Sequence, residues 1–186
     1  RNIGKLQEAE LSYRKAIEIN PYFADAHLNL GNILSDLGQL QQAFDSYLKV
    51  IEINPKFLNI YSSITRFLKD SDLSQLNKLK LKNILNILLK RNDVTHKELF
   101  QVFNFLYRNI IISNLQIFDS DLFTEKAIKI FSKDTSIINA LKKILFKDIL
   151  WEKILTKIRK NICVRIANNE KVISYSQLQF VLALGE

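Results

Sequence analysis

The chain has 186 residues, a formal net charge of +8 and a hydrophobic fraction of 47%. Cys163 is its only cysteine, which excludes a disulfide framework or a cysteine-based zinc site and favours the cytoplasm. No apolar run approaches the roughly 18 residues of a membrane span, and the polar opening segment is not a signal peptide.

The composition predicts an all-α chain. Four glycines and two prolines are too few for a turn-rich sheet protein, and most Leu, Ile and Phe residues recur at helical spacing. Arg1 is not a start methionine, and the helical pattern is still running at Glu186. We therefore expect a piece of a longer protein, cut before a further C-terminal domain.

The basic residues are concentrated in the second half. Residues 1–73 carry eight basic and nine acidic side chains, whereas residues 74–186 carry nineteen and ten. Such an excess raises the question of nucleic acid or an acidic partner. However, Ile, Lys and Asn make up a third of the chain and all have A/T-rich codons, so codon bias explains the lysines too. We expect no nucleic-acid partner, and keep a basic RNA-binding helical domain as the weaker alternative.

The first third of the chain repeats itself after 34 residues. The stretch Ile17–Pro21 returns as Ile51–Pro55. The other matching pairs are Gly4 and Gly38, Leu6 and Leu40, Ala9 and Ala43, and Tyr13 and Tyr47. This period is typical of a helix-turn-helix repeat. The unit at 24–57 resembles the tetratricopeptide repeat (TPR) family through Leu30, Gly31, Leu34, Gly38, Ala43, Tyr47 and Pro55.

The resemblance implies a helical solenoid with a half repeat at 1–21, a full repeat at 24–57 and a degenerate repeat from 58 to about 90. In the full repeat we predict helix A at 24–37 and helix B at 40–53. Gly31 and Ala43 let these helices approach closely, Gly38 can take a positive φ, and Pro55 stops helix B. His27 stands where the family usually has a large aromatic residue, which weakens that packing position.

The third unit departs from the family pattern. Thr65 replaces the small glycine, Asp72 replaces the turn glycine, and Asn77 replaces the packing alanine. We therefore place the TPR array at 1–71 and an all-helical, bundle-like domain at 72–186. Its predicted helices lie near 73–91, 95–111, 121–133, 136–147, 149–168 and 175–185. Thr95–Glu98 and Ser174–Gln177 have the form of capping boxes.

Helix 149–168 is predicted to be amphipathic. Its apolar stripe consists of Trp151, Leu155, Ile158, Ile162 and Ile166. Lys153, Lys157 and Lys160 lie on the opposite side and indicate a solvated face, with a phosphate or acidic-partner surface as the alternative.

The sequence offers no catalytic chemistry. It contains no G-x-G-x-x-G, P-loop, nucleophile elbow or H-E-x-x-H motif, and no spacing that suggests a metal site. We interpret His27 as a packing residue, His96 as an ordinary first-turn residue, Cys163 as a small buried or half-buried hydrophobe, and Trp151 as a core anchor. We predict that the fragment is not an enzyme and binds no cofactor or metal.

Recognition is the chemistry that remains. The A helices of stacked TPR pairs line a groove that, in this family, commonly takes an extended peptide or a partner helix. The groove positions fall on Asp25, Leu28, Asn29, Asn32, Ser35 and Asp36, then on Asn59, Ser62, Ser63, Arg66, Lys69 and Asp70. An asparagine amide can both donate to and accept from a peptide backbone. Family members use asparagines at the positions of Asn29 and Asn32 in this way. The alternative is that these residues form an ordinary solvent-exposed helix face.

A second resemblance covers residues 139–186. This stretch looks like the helical segment that follows TPR arrays in certain bacterial proteins, ahead of a class I S-adenosylmethionine-dependent methyltransferase domain. It rests on Leu150–Glu152, Ile158–Arg159, Ile162–Cys163 and Phe180–Glu186. It implies a substrate-recruiting or regulatory front region of such an enzyme, with the cofactor loop beyond Glu186.

Two functions of different class therefore stand side by side. The first is a non-catalytic, cytoplasmic scaffold that binds a protein or peptide in the A-helix groove. The second is the methyltransferase-associated front region. Because the upstream helix of the half repeat is missing, helix 6–20 should also expose Leu6, Ala9, Tyr13 and Ile17. Weak self-association through that edge is expected.

Overall fold

The computed structural model of the chain describes residues 3–57, 59–114, 129, 131–144, 148–168 and 182–183. Within these ranges all regular secondary structure is helical, which confirms the all-α prediction. No helix in the described ranges is long and apolar enough to cross a membrane. The chain divides into two compact units. The first is Arg1–Leu81 with Asp93–Thr95, and the second is Lys82–Asn92 with His96–Glu186.

The first unit is a stack of antiparallel helices. They are α1 (Ile3–Ile19), α2 (Ala24–Asp36), α3 (Leu40–Ile53) and α4 (Ile60–Asp70). Each packs on the next: α1 on α2, α2 on α3, and α3 on α4. The predicted A and B helices of the full repeat, 24–37 and 40–53, match α2 and α3 to within one residue.

The repeated Ile-Asn-Pro sequence forms the same turn twice. The side-chain oxygen of Asn20 accepts a 3.1 Å hydrogen bond from the amide of Tyr22. Thirty-four residues later, the side-chain oxygen of Asn54 accepts from the amide of Lys56 at 3.0 Å. Asn54 is extended (φ −144°, ψ 93°), as the residue before a proline prefers. The 34-residue period is therefore a structural period as well.

The two glycines of α2 and its turn have different roles. Gly38 has φ 76°, a left-handed conformation that side chains with a Cβ rarely adopt, and it lies just after α2. Gly31 is buried, and a Cβ built on it would lie 2.7 Å from Cε1 of Tyr47. The absence of a side chain at Gly31 therefore lets α3 press its tyrosine ring against α2.

The core of the first unit lies between these helices. The Phe67 ring of α4 stacks on Phe44, with centroids 6.1 Å apart, and meets Tyr47 edge-on at 5.2 Å. The other fully buried apolar side chains of α2 to α4 are Ala26, Leu34, Ala43, Val50, Ile60, Ile64 and Leu68. Aromatic pairs of this kind add roughly 0.5–1.5 kcal/mol beyond the area they bury.

The chain after α4 does not form the helix predicted at 73–91. A short 3₁₀ turn at Leu73–Gln75 comes first, and α5 runs only over Lys78–Leu89. The carboxylate of Asp72 accepts from the Ser74 amide at 3.0 Å and fixes the turn, while Leu76 is extended. The side chain of Asn77 then accepts from the Lys80 amide at 3.0 Å and begins α5. Local side-chain capping therefore overrides the apolar periodicity here.

In the described part of the second unit, the rest of α5 is followed by three further helices with defined bounds. A 3₁₀ turn at His96–Leu99 leads into α6 (Phe100–Asn114), followed by α7 (Thr135–Lys143) and α8 (Ile149–Ala167). The predicted helix 136–147 is too long, because Ile144 is already extended. The predicted helices 121–133 and 175–185 and the Ser174–Gln177 capping box lie almost wholly outside the described residues.

Trp151 anchors the core of the second unit. It is 1% exposed, its ring lies 5.0 Å from that of Phe103, and its indole N–H donates to Oδ1 of Asn104 at 2.9 Å. Leu155, Ile158 and Ile162 continue the buried stripe of α8. The prediction for Cys163 was wrong: its side chain is exposed, because it follows Ile162 by one residue and so points about 100° away from the stripe.

Candidate functional site

The side of α2 that faces away from the core carries the predicted groove residues. The buried residues of α2 are Ala26, Leu30, Gly31 and Leu34. Of the groove positions, Asp25, Asn32 and Asp36 are exposed, whereas Leu28, Asn29 and Ser35 are half-buried. These six residues recur at helical spacing and form one strip, polar except for Leu28, which we call the α2 strip.

An equivalent strip lies on α4. Asn59, Ser62, Arg66, Lys69 and Asp70 are exposed and Ser63 is half-buried, while the other face of α4 is buried. Asn59 has φ 63° and precedes the helix, and its carbonyl accepts from the Ser62 hydroxyl at 2.8 Å. Basic side chains therefore occur on the α4 strip and acidic ones on the α2 strip, with Asp70 as the exception.

Tyr47 of α3 contacts the α2 strip. Its ring is buried, with 3% of the residue exposed, but its hydroxyl donates a 2.9 Å hydrogen bond to Oδ1 of Asn32. A buried phenol usually finds such a partner, because an unpaired hydroxyl is costly to bury. The bond fixes the Asn32 amide so that its oxygen faces the protein, and its NH₂ group remains a donor.

The electrostatics of Tyr47 show which charged groups lie near it. Burial raises the pKa of Tyr47 to about 12, the positive charge of Arg66 acts to lower it, and the negative charge of Asp36 acts to raise it. Three predicted groove residues therefore act on this tyrosine: Asn32 through a hydrogen bond, and Asp36 and Arg66 through their charges.

Several side chains of the strips make no hydrogen bond or ion pair within the described part of the chain, and Asn29 and Arg66 are the two whose chemistry best suits a ligand. The Asn29 amide and the Arg66 guanidinium make no hydrogen bond or ion pair there. Asp36 and Lys69 do take part in interactions within the protein. Asn29 and Arg66 therefore offer a neutral donor–acceptor pair and a planar cation to a ligand.

Sequence reasoning missed the part that Tyr47 takes in this site, since it assigned the residue to packing alone. The signal was present in the residue type, because a tyrosine rather than a phenylalanine at a buried position implies a hydroxyl that needs an acceptor. The acceptor itself was not readable, because Asn32 lies 15 residues away on another helix.

Comparison with protein families agrees with this geometry. Residues 24–57 match a model described as tetratricopeptide repeat, and residues 1–38 match a second model described as TPR repeat. Residues 1–57 are therefore similar to tetratricopeptide repeats. TPR repeats generally mediate protein–protein interactions, and the family is typically non-catalytic. Neither match reaches the stretch 139–186, so nothing supports its resemblance to methyltransferase-linked segments.

No curated protein matches the chain. The TPR matches and the geometry of α1 to α4 are therefore the basis for assigning a function.

In the described part of the second unit, several polar groups meet around Asp134 at the start of α7. Its carboxylate accepts from Lys82 Nζ at 2.7 Å, from the Tyr107 hydroxyl at 3.0 Å and from the Ser136 amide at 2.9 Å. Burial acts to raise the pKa of Asp134, but the bonds from Lys82 and Ser136 outweigh it and the pKa is lowered. Burial also raises the pKa of Tyr107. Because donors from α5, α6 and α7 share this one carboxylate, the cluster ties the three helices together.

The remaining candidates from the sequence are surface groups. On α8, Lys153 and Lys160 are exposed and Lys157 is half-buried. Among the residues that the structure describes, no three His, Cys, Asp or Glu side chains come together as a metal site requires.

Proposed function

We propose that residues 1–71 are a non-catalytic scaffold that binds a peptide or partner protein along the α2 and α4 strips. The observation that supports this best is the hydrogen bond from the Tyr47 hydroxyl to Asn32, which leaves the NH₂ group of an exposed asparagine as a fixed donor. The charge of Arg66 on α4 also acts on Tyr47. An extended ligand could lie across both helices and make backbone hydrogen bonds to the amides.

The charges of the strips constrain the ligand. Arg66 and Lys69 on α4 favour acidic groups at that end, whereas Asp25 and Asp36 on α2 favour basic groups at the other. We therefore expect a ligand with charges of both signs and a fixed direction across the strips. Such complementarity contributes to specificity and association rate more than to affinity.

A capture experiment with matched variants tests this function. The groove variant carries Asn29→Ala and Arg66→Ala, because neither side chain has a partner whose loss would disturb the fold. The control carries Gln7→Ala and Lys15→Ala, two exposed polar residues of α1. Proteins captured from lysate of the source cell should bind the intact chain and the control, and be lost from the groove variant. Equal capture by all three would contradict the assignment.

We also propose weak self-association through α1. None of its residues is fully buried, and Ile3, Leu11 and Ile19 are 62%, 62% and 87% exposed. The edge residues predicted from sequence, Leu6, Ala9, Tyr13 and Ile17, are half-buried. Sedimentation velocity over a concentration series should show a dimer that Leu11→Lys abolishes. A monomer at every concentration would contradict this.

A further inference from the structure

An open cavity of about 360 Å³ lies among α1, α2 and α3, away from the α2 strip. Two residues of α2, His27 and Leu30, line it. His27 is two residues from Asn29, and Leu30 is two residues from Asn32. Two residues correspond to about 200° of rotation around the helix. The cavity thus opens on another side of α2. Its charged lining residues are Arg14 and Glu18 of α1, and Asp45 and Lys49 of α3.

The repeat itself explains why there is space here. In the full repeat, Nε2 of His27 lies 3.0 Å from the carbonyl oxygen of Pro21. In the next repeat, 34 residues on, the hydroxyl of Tyr61 donates to the carbonyl oxygen of Pro55 at 2.8 Å. The two side chains make the same anchoring bond, but imidazole is the smaller ring. Tyr61 is buried, with 5% of the residue exposed, whereas His27 is half-buried. The smaller His27 ring therefore leaves part of the corresponding space open.

The charges around the cavity do not balance. Arg14 pairs with Glu10 at 2.8 Å, Lys49 with Glu52 at 2.6 Å, and Asp45 with Lys80 at 2.7 Å. Glu18 has no hydrogen bond or ion pair within the described part of the chain. A carbonyl oxygen can only accept, so the His27 bond requires a proton on Nε2. The charged group without a partner is thus the Glu18 carboxylate.

We propose that this cavity binds a basic side chain, arginine or lysine, of a partner protein. The aliphatic stem of such a side chain would lie on Ile17 and Leu30, which form the apolar part of the lining, and its cationic end would meet Glu18. The volume is at the lower end of the roughly 300–1,000 Å³ of ligand pockets, which suits one side chain rather than a large ligand. This site is separate from the α2 and α4 strips and does not depend on them.

Filling the cavity tests the proposal without disturbing the fold. His27→Tyr copies the residue that the next repeat already uses, with the same proline carbonyl as acceptor, so the variant should fold. Glu18→Gln removes the unpaired charge from an exposed residue. The probes are N-acetyl-arginine amide and N-acetyl-lysine amide, with N-acetyl-glutamate amide as the anionic control. Binding to the full chain is followed by NMR through the methyl groups of Leu30.

The cationic probes should shift the Leu30 methyl signals with millimolar affinity, and the anionic probe should not. Glu18→Gln should weaken binding by about tenfold, as for the loss of one charge-assisted hydrogen bond. His27→Tyr should abolish it, while Asn29→Ala with Arg66→Ala should leave it unchanged. The proposal is overturned if the cationic probes cause no shift, if the anionic probe binds as well, or if binding survives His27→Tyr.

Discussion

The hydroxyl of Tyr47 on α3 donates a 2.9 Å hydrogen bond to Oδ1 of Asn32 on α2. The tyrosine is buried and the asparagine exposed, so the two partners are not equivalent. Removing the acceptor leaves a hydroxyl group inside the protein, whereas removing the hydroxyl leaves an amide that water can reach.

We therefore predict different costs for the two single variants. Asn32→Ala should lower the free energy of unfolding by about 1–3 kcal/mol, the cost of a buried unpaired polar group. Tyr47→Phe should lower it by only about 0.5–1.5 kcal/mol. Urea unfolding measures both. In the Tyr47→Phe background, Asn32→Ala should lower the free energy of unfolding hardly at all. If it lowers that free energy as much as in the intact chain, the bond does not stabilise the fold.

Gly31 should be intolerant of a side chain only while Tyr47 is present. A Cβ on Gly31 would lie 2.7 Å from Cε1 of the ring, so Gly31→Ala forces a ring held by the Asn32 bond to move. Overpacking of this kind costs about 1–3 kcal/mol, against a helix-propensity gain of about 1 kcal/mol. We expect a net loss of stability.

The next repeat suggests the compensating change. By the 34-residue spacing, Thr65 corresponds to Gly31 and Leu81 to Tyr47, and both are buried. In a Tyr47→Leu background, Gly31→Ala should become neutral or stabilising by up to about 1 kcal/mol. The same destabilisation in both backgrounds would mean that Tyr47 is not what restricts residue 31.

Alkaline pH should destabilise the first unit through Tyr47. Its pKa is raised to about 12 by burial, against about 10 in an unfolded chain. The folded state thus holds its phenol proton more tightly, and this contribution is complete below pH 10 and lost as the pH rises towards 12. At ~1.4 kcal/mol per pKa unit the loss is about 2–3 kcal/mol. Unfolding at pH 9 and pH 11.5 should show a smaller decline for Tyr47→Phe than for the intact chain.

Acid should weaken the second unit through Asp134. Because the folded-state pKa of Asp134 is lowered, its contribution is present above about pH 4, the ordinary range of an aspartate, and is lost as the pH falls further. Asp134→Asn should cost about 1–2 kcal/mol at pH 7, since the Lys82 pair is partly exposed.

Thermal unfolding at pH 7 and pH 3 measures this cost. The difference between the intact chain and Asp134→Asn should shrink at pH 3. Glu152→Gln, on the exposed side of α8, is the control and should have little effect at either pH. A constant Asp134→Asn penalty at both pH values would contradict an electrostatic role for this carboxylate.

The sequence predicted the repeat part of the fold well because several local signals agreed there. Apolar periodicity, Gly38 and the proline at 55 all mark the same boundaries, and α2 and α3 follow them. After Ser71 the chain has periodicity without such punctuation, so the Asp72 turn and the break at Leu76 were missed. Local capping bonds decide those positions, and an aspartate is compatible with either outcome.

The candidate site was predictable in part for a related reason. Helical spacing alone places Asn29, Asn32 and Arg66 on polar faces. Contacts between helices could not be predicted in this way. No pattern of neighbouring residues in the sequence indicates the Tyr47–Asn32 hydrogen bond or the space beside His27. Even within a single helix, spacing does not always predict burial. Cys163 is exposed because a residue next to an apolar stripe can lie on the buried or the exposed side of the edge of that stripe.

Whether the α2 and α4 strips bind a protein is best tested by site-specific crosslinking in the source cell. A photoreactive amino acid replaces Asn29 or Ser62 in the strips, or Lys56, an exposed turn residue, as the control. We expect positions 29 and 62 to give covalent adducts to the same protein and position 56 to give none. Adducts from position 56 alone, or equal adducts from all three positions, would contradict it.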